Sequence, residues 1–354
     1  MRVLIYGAGP FGSLFAERLK EAHHDVTLLA RGDRLRQLRE HGVVIKDHET
    51  EEITVTRVPV VETLEEEDEY DLIIVPMRKN QALEILPVLK KNKHVPTVLF
   101  MMNNAAGSQE LVKALGKDRV MIGFPLPGGK REGHIMRMLP VNDKNKWTLP
   151  IGEVNGEKYP RTQTVAAVLD SMRGYSVDIR KDMDDWLICH VAILIVSFVP
   201  AVYATGQDLE RFARTRDAII LAIRGQKEAF KALRSAGVKM SPAAVVRFLD
   251  WTPEPLMIQF WRKALEMDVY KVAVAHLDEA QDEMYHLYKE FRETIKSSDV
   301  PTPNLDELEA YFDSQTPPLP DGSKTLSPNW TGVKRGLIGA SAAVALGLLL
   351  KRKK

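Results

Sequence analysis

The chain lacks the marks of a secreted or nucleic-acid-binding protein. Its 354 residues include a single cysteine, Cys189, so no internal disulfide framework is possible and a reducing compartment is expected. Lys and Arg number 49 against 48 Asp and Glu, a formal net charge of +1, which leaves no broad basic face for nucleic acid. No secretory leader is read, because the N-terminus runs straight into a strand. There is no internal repeat, and no metal is expected. What remains is an ordinary globular balance, 45% hydrophobic and 27% charged, with length for two domains at roughly 100–200 residues each.

The opening stretch carries the strongest signal. Arg2 to Tyr6 (RVLIY) reads as a buried strand, and Gly7-Ala8-Gly9-Pro10-Phe11-Gly12 follows it at once. Ser13 to Glu21 then has helical spacing, with Leu14, Phe15 and Leu19 on the apolar side. Strand, G-x-G-x-x-G and helix in this order predict a dinucleotide site. Gly7 allows the tight turn, Gly9 lets the backbone approach a diphosphate, and Gly12 permits close packing of helix on strand. The diphosphate would meet free N–H groups at the positive end of the helix dipole. Asp25 to Leu29 supplies the second strand. It ends in Ala30-Arg31-Gly32, where NAD binders usually place a carboxylate. The Arg31 guanidinium suits a 2′-phosphate instead, so NADP is favoured over NAD.

Two more buried strands are read at Asp71 to Met77 and Thr97 to Met102. They end in Arg78-Lys79-Asn80-Gln81 and Asn103-Asn104-Ala105-Ala106-Gly107, and these polar endings should line the cofactor cleft. Short strands beyond Lys117 are expected to complete the sheet. From Tyr159 the chain reads as mostly helical, with helices over 184–202, 209–236, 242–248 and 256–295. The boundary is drawn near 174–181.

The stretches GAGPFGSLFAERL, LLARGDRLRQLREHGVVI, DLIIVPMRKNQ, LFMMNNAAGSQEL and MIGFPLPGG…WTLPIGE resemble the ketopantoate reductase (2-dehydropantoate 2-reductase) family in order and spacing. The resemblance covers residues 1–310 and is strongest over the first 155. It implies an α/β protein: an N-terminal Rossmann-type dinucleotide-binding domain, then a C-terminal all-α domain of the 6-phosphogluconate dehydrogenase C-terminal-like type. It also implies reduction of a 2-keto acid with NADPH in the cleft between the domains. By resemblance, Gly7, Gly9, Pro10, Phe11 and Gly12 form the phosphate loop and Arg31 meets the 2′-phosphate. Arg78 falls on a cofactor-side lysine position, Asn104 on an asparagine near the nicotinamide ribose, and Glu283 on the substrate-binding glutamate.

The helical half departs from that pattern. The family's general-acid lysine and the asparagines four and eight residues later read Ile188, Ala192 and Val196, counted from Trp186. The family's serine reads Lys271. A hydride delivered to a keto carbon leaves an alkoxide that needs a proton donor. His190 is the nearest titratable group and is the expected donor beside Glu283.

The expected organisation is a Rossmann NADP-binding domain over 1–174, a helical substrate domain over 175–315, a Pro/Ser/Gly-rich linker over 316–333 and an apolar tail with basic flanks over 334–354. Gly336 to Leu350 (GLIGASAAVALGLLL) carries no charge and lies between Lys334-Arg335 and Lys351-Arg352-Lys353-Lys354. Its 15 residues would span about 22 Å as a helix, short of the roughly 30 Å bilayer core, but flanking Lys and Arg can snorkel. A membrane tether for a cytoplasmic body is expected from it. The expected partners are a small carbonyl substrate, that membrane and a second copy of the chain. The function expected is an NADP-dependent oxidoreductase acting on a 2-keto acid or related carbonyl. The alternative is a membrane-tethered NADP(H)-binding protein without turnover, a sensor or scaffold.

Overall fold

The computed structural model describes residues 1–274, 277 and 280–330. The apolar segment 336–350, on which the tether expectation rests, lies outside the described residues. The chain divides into two compact units. The first is Met1–Ile188 with the described residues of 275–286; the second is Cys189–Val274 with the described residues from Leu287 onward.

Among the described residues, twelve strands build the first unit: β1 (Arg2–Tyr6), β2 (Asp25–Leu29), β3 (Val43–Asp47), β4 (Ile53–Thr56), β5 (Val60–Val61), β6 (Leu72–Val75), β7 (Val98–Met101), β8 (Val120–Gly123), β9 (Gly129–Glu132), β10 (Ile135–Met138), β11 (Trp147–Glu153) and β12 (Tyr175–Ile179). Eight of them form one sheet in the order β12-β11-β8-β7-β6-β1-β2-β5. β5, β2, β1, β6, β7 and β8 all run parallel; β11 is antiparallel to β8. Strand order reverses between β1 and β6, so a crevice opens at the carboxyl ends of these strands, where open α/β sheets take ligands.

β1 is apolar on both faces because both are covered. Val3 and Ile5 pack with Leu14, Phe15 and Leu28 on one side. Leu4 and Tyr6 pack with Ile73, Val75 and Phe100 on the other. The flanking helices are α1 (Pro10–Glu21), α2 (Gly32–His41), α3 (Lys79–Glu84), α4 (Leu86–Lys91), α5 (Gln109–Leu115) and α6 (Pro160–Asp170).

The α/β class and the helical C-terminal region match the expectation. Three details differ. The hairpin β9–β10 does not complete the main sheet but joins β3 and β4 in a second sheet, ordered β4-β3-β10-β9. The main sheet also runs past the expected boundary at 174, because β12 pairs in parallel register with β11 from Trp147↔Tyr175 to Ile151↔Ile179. Periodicity alone hides such a strand, since YSVDI is five residues with mixed burial. Segment 316–330 is the third difference, described below with the second unit.

The remaining helices are α7 (Met183–Leu194), α8 (Phe198–Tyr203), α9 (Leu209–Arg214), α10 (Arg216–Ser235), α11 (Ala243–Trp251), α12 (Glu254–Ala264), α13 (Asp268–Val274), α14 (Gln281–Thr294) and α15 (Pro303–Glu309). α7 and α8, expected as one helix, separate at 195–197. Pro200 has no N–H to give the Val196 carbonyl four residues back, and the Ile193 carbonyl at the end of α7 accepts from the Ser197 hydroxyl and the Gln226 amide. Met183–Tyr203 is long and apolar enough to cross a bilayer, with mean hydropathy 2.2, but 72% of its most apolar window is buried inside the protein.

Residues 316–330, expected as a linker, are strapped along the second unit. Arg211 donates to the Leu319 carbonyl at 2.6 Å, and Arg214 grips Asp321 through two 2.7 Å contacts. Thr325 and Leu326 donate to Asp217, and the Asn329 N–H donates to Glu254 at 2.7 Å. The Pro- and Ser-rich composition describes a chain without its own secondary structure; the arginines of α9 and α10 give it a fixed course.

Candidate active site

At the end of β1 the chain turns through Gly7, at φ +117°, a conformation that glycine adopts without penalty. A Cβ on Gly7 would also stand 2.8 Å from Met77 Cγ. A Cβ on Gly12 would stand 1.9 Å from the Gly7 carbonyl oxygen, so α1 packs on the turn only because position 12 is glycine. A Cβ on Gly9 would meet nothing within 4 Å. The backbone therefore faces open space where an approaching ligand must come closest. Gly9 caps α1, Pro10 sits in its first turn, and that turn holds no acidic residue. The positive end of the helix dipole is left for an anion, and the loop fits a diphosphate.

Two arginines near the loop have different roles. Arg31, just past β2, is exposed; its charge acts on the Tyr6 phenol, which burial raises and Arg31 lowers. Arg34 is buried. Its guanidinium donates to the Ala8 carbonyl, the Ser13 hydroxyl and the His134 carbonyl, each at 3.0 Å. Burial, and then Arg131, push it down to about 10. Arg34 thus ties the glycine loop to α1 and to the β9–β10 hairpin. Nothing in the local sequence says which of the two arginines turns inward.

The ends of β6 and β7 converge on the first turn of α14. Arg78 lies 3.5 Å from Asp282 and 4.0 Å from Glu283, and Asn80 donates to Asp282 at 2.8 Å. The cation expected on the cofactor side is therefore engaged with two carboxylates. Glu283 is buried, at 6% exposure. Its carboxyl is pushed up to about 7 by burial, against the pull of Arg78, the Lys79 N–H and the Asn103 side chain. A carboxyl there exchanges its proton near neutral pH.

Asn104 is buried, and both ends of its amide are used within the first unit. Its oxygen accepts from the Ala106 N–H at 3.1 Å and from Lys79 Nζ at 2.7 Å, and its nitrogen donates to the Gly107 carbonyl at 2.9 Å. This is an Asx turn that shapes the loop after β7. Its neighbour Asn103 has a buried Oδ1 with no partner among the described residues, as does Asn80. These two acceptors are open to a bound donor. Lys79, expected with its neighbours to line the cofactor cleft, is 2% exposed. Nearby, Asp184 at the start of α7 accepts from Ser108 at 2.7 Å, and burial raises its carboxyl.

His190 falls in the second unit, and burial pushes its imidazole down to about 4, so the ring is uncharged at neutral pH. Ile188, Ala192 and Val196 are 6%, 0% and 0% exposed, ordinary core positions.

Residues 3–139 match the family model described as ketopantoate reductase PanE/ApbA. The uncharacterized oxidoreductase YkpB of Bacillus subtilis is 26% identical over 182 residues, 51% of this chain and 56% of that protein. The chain thus spans about half the length of the curated relatives it matches. Among solved structures, 2-dehydropantoate 2-reductase from Geobacter metallireducens GS-15 is 16% identical with a TM-score of 0.72, over 89% of this chain and 100% of that one. D-mandelate dehydrogenase, solved with NADH and anilino(oxo)acetate, is 16% identical with a TM-score of 0.70, over 88% and 97%. At these identities the structural likeness is one of fold.

Proposed function

We propose that this chain, a ketopantoate reductase PanE/ApbA-type domain over residues 3–139, is an NADP(H)-dependent oxidoreductase that reduces a 2-keto acid or a related carbonyl. One observation carries the reading. A buried carboxyl with a neutral-range pKa, Glu283 on α14, meets the residues that follow β6 and β7, beside the glycine loop's crevice. A bound reduced nicotinamide supplies a hydride. The chain's own work is to hold the diphosphate on the Gly7–Gly12 loop with Pro10 and Phe11, to meet the 2′-phosphate with Arg31, and to accept a donor group of the bound ligand on Asn103 Oδ1. Asn104 shapes that loop. Protonated Glu283 gives its proton to the oxygen of the reduced carbon. It takes the donor role expected for His190, whose ring carries no charge to give. Arg78, 4.0 Å away, stabilises the carboxylate left behind.

The test is titration with NADPH and NADH, then absorbance at the nicotinamide band with ketopantoate and other 2-keto acids. Oxidation of NADPH that falls as pH rises through about 7 supports the reading. Arg31→Ala should weaken NADPH binding about 10- to 100-fold and leave NADH binding unchanged, the loss of one charge-assisted phosphate contact. The apolar positions Ile188, Ala192 and Val196 favour a second reading, binding without turnover. NADPH binding with no oxidation of any 2-keto acid would select it.

A further inference from the structure

The corner between α11 and α12 keeps large apolar side chains in solvent. Trp251, the last residue of α11, is 70% exposed, and Leu256, in the first turn of α12, is 59% exposed. Between them Glu254 is buried, paired with Arg224 at 3.0 Å, and its other oxygen holds the Asn329 N–H. The next residue is Trp330, 63% exposed. The strap described above thus delivers a second tryptophan to the same corner. Arg247 lies over the Trp251 ring, 5.4 Å from its centroid, and no described carboxylate forms a salt bridge with it.

We propose that this corner is a lipid-docking surface. Trp251, Leu256 and Trp330 enter the boundary between headgroups and acyl chains, and Arg247 meets lipid phosphate. Three observations select a bilayer as the occupant. Tryptophan is the side chain suited to that boundary, with an apolar body and a polar N–H. The Arg247 guanidinium over the Trp251 ring, with no ion pair among the described residues, is complementary to anionic lipid. The uncharged sequence 336–350 also begins six residues beyond Trp330, a span of at most about 20 Å of extended chain. Wherever that segment enters a membrane, the corner lies within reach of the surface. The strap then orients the second unit on the bilayer instead of leaving it on a loose leash. This inference is independent of the proposed reaction.

The experiment uses the full chain and vesicles of phosphatidylcholine with phosphatidylserine. Cys189 is fully buried, so a cysteine introduced by Trp251→Cys or by Leu256→Cys takes an environment-sensitive fluorophore; Lys296→Cys, on an exposed side chain, is the control. Brominated lipid should quench the probes at 251 and 256 and leave the probe at 296 unchanged. The pair Trp251→Ser and Leu256→Ser should lower vesicle partitioning at least tenfold without lowering the melting temperature, because both side chains are already in water. Vesicle binding without quenching at 251 and 256 would mean that only the tail engages lipid, and would overturn the proposal. So would shielding of both probes in lipid-free solution together with a doubled mass, which would assign the corner to a second copy. Failure of the full chain to bind vesicles would overturn it as well.

Discussion

Glu283→Gln should make the protein more stable and less active, and the stability gain should depend on pH. The Glu283 carboxyl ionises at about 7 in the folded chain against an ordinary value of 4.5. At about 1.4 kcal/mol per pH unit, that gap amounts to about 3 kcal/mol. The folded state binds the proton more tightly than the unfolded chain does. As pH rises through the window from 4.5 to about 7, the unfolded state releases its proton first and folding stability falls. Less than about 1 kcal/mol of the penalty has appeared at about pH 5, and nearly all of it above about pH 8. Glutamine keeps the shape and has no proton to lose. Denaturant unfolding should therefore show wild type and variant nearly equal at about pH 5, and the variant ahead by about 2–3 kcal/mol at about pH 8.5. NADPH affinity should stay near wild type, while single-turnover oxidation with a keto acid falls by two orders of magnitude or more, the usual weight of a general acid. An equal gain at both pH values, or a variant weaker at alkaline pH, would refute the assignment of a buried, neutral-range carboxyl.

Two further substitutions separate the jobs of the glycines. Gly9→Ala places its methyl in open space, so the melting temperature should hold while NADPH affinity falls, as read by fluorescence titration. Gly12→Ala drives a methyl to 1.9 Å from the Gly7 carbonyl oxygen and should destabilise the first unit by 3 kcal/mol or more, about the upper end for overpacking, as read by thermal unfolding. Arg34→Met removes three hydrogen bonds from a buried guanidinium and leaves the Ala8 carbonyl without it. It should cost about 2–4 kcal/mol in urea unfolding and weaken the dinucleotide site with it.

Much of the first unit was legible because its signals are local. RVLIY, the glycines and the helix after them fix one another from Arg2 to Glu21, and β2 follows with the bounds that its apolar alternation suggests. The second sheet was not legible. β3 and β4 lie in sequence some eighty residues from β9 and β10, and short strands do not announce which sheet they join. The strand β12 and the course of 316–330 were hidden for the same reason: their partners, β11 and the arginines of α9 and α10, are remote or offer only charge.

The same division runs through the site. The sequence alone determined the glycine loop, the arginine where a carboxylate is common, and the polar residues after β6 and β7, because strand ends and turn chemistry are written in consecutive residues. Only the tertiary structure decided that Arg34 turns inward while Arg31 stays in solvent, that Lys79 is buried against Asn104, and that Asn103 keeps a free acceptor. It also decided that Glu283 titrates near neutrality. A pKa is set by what surrounds a group, and the surroundings of Glu283 come from chain about two hundred residues away.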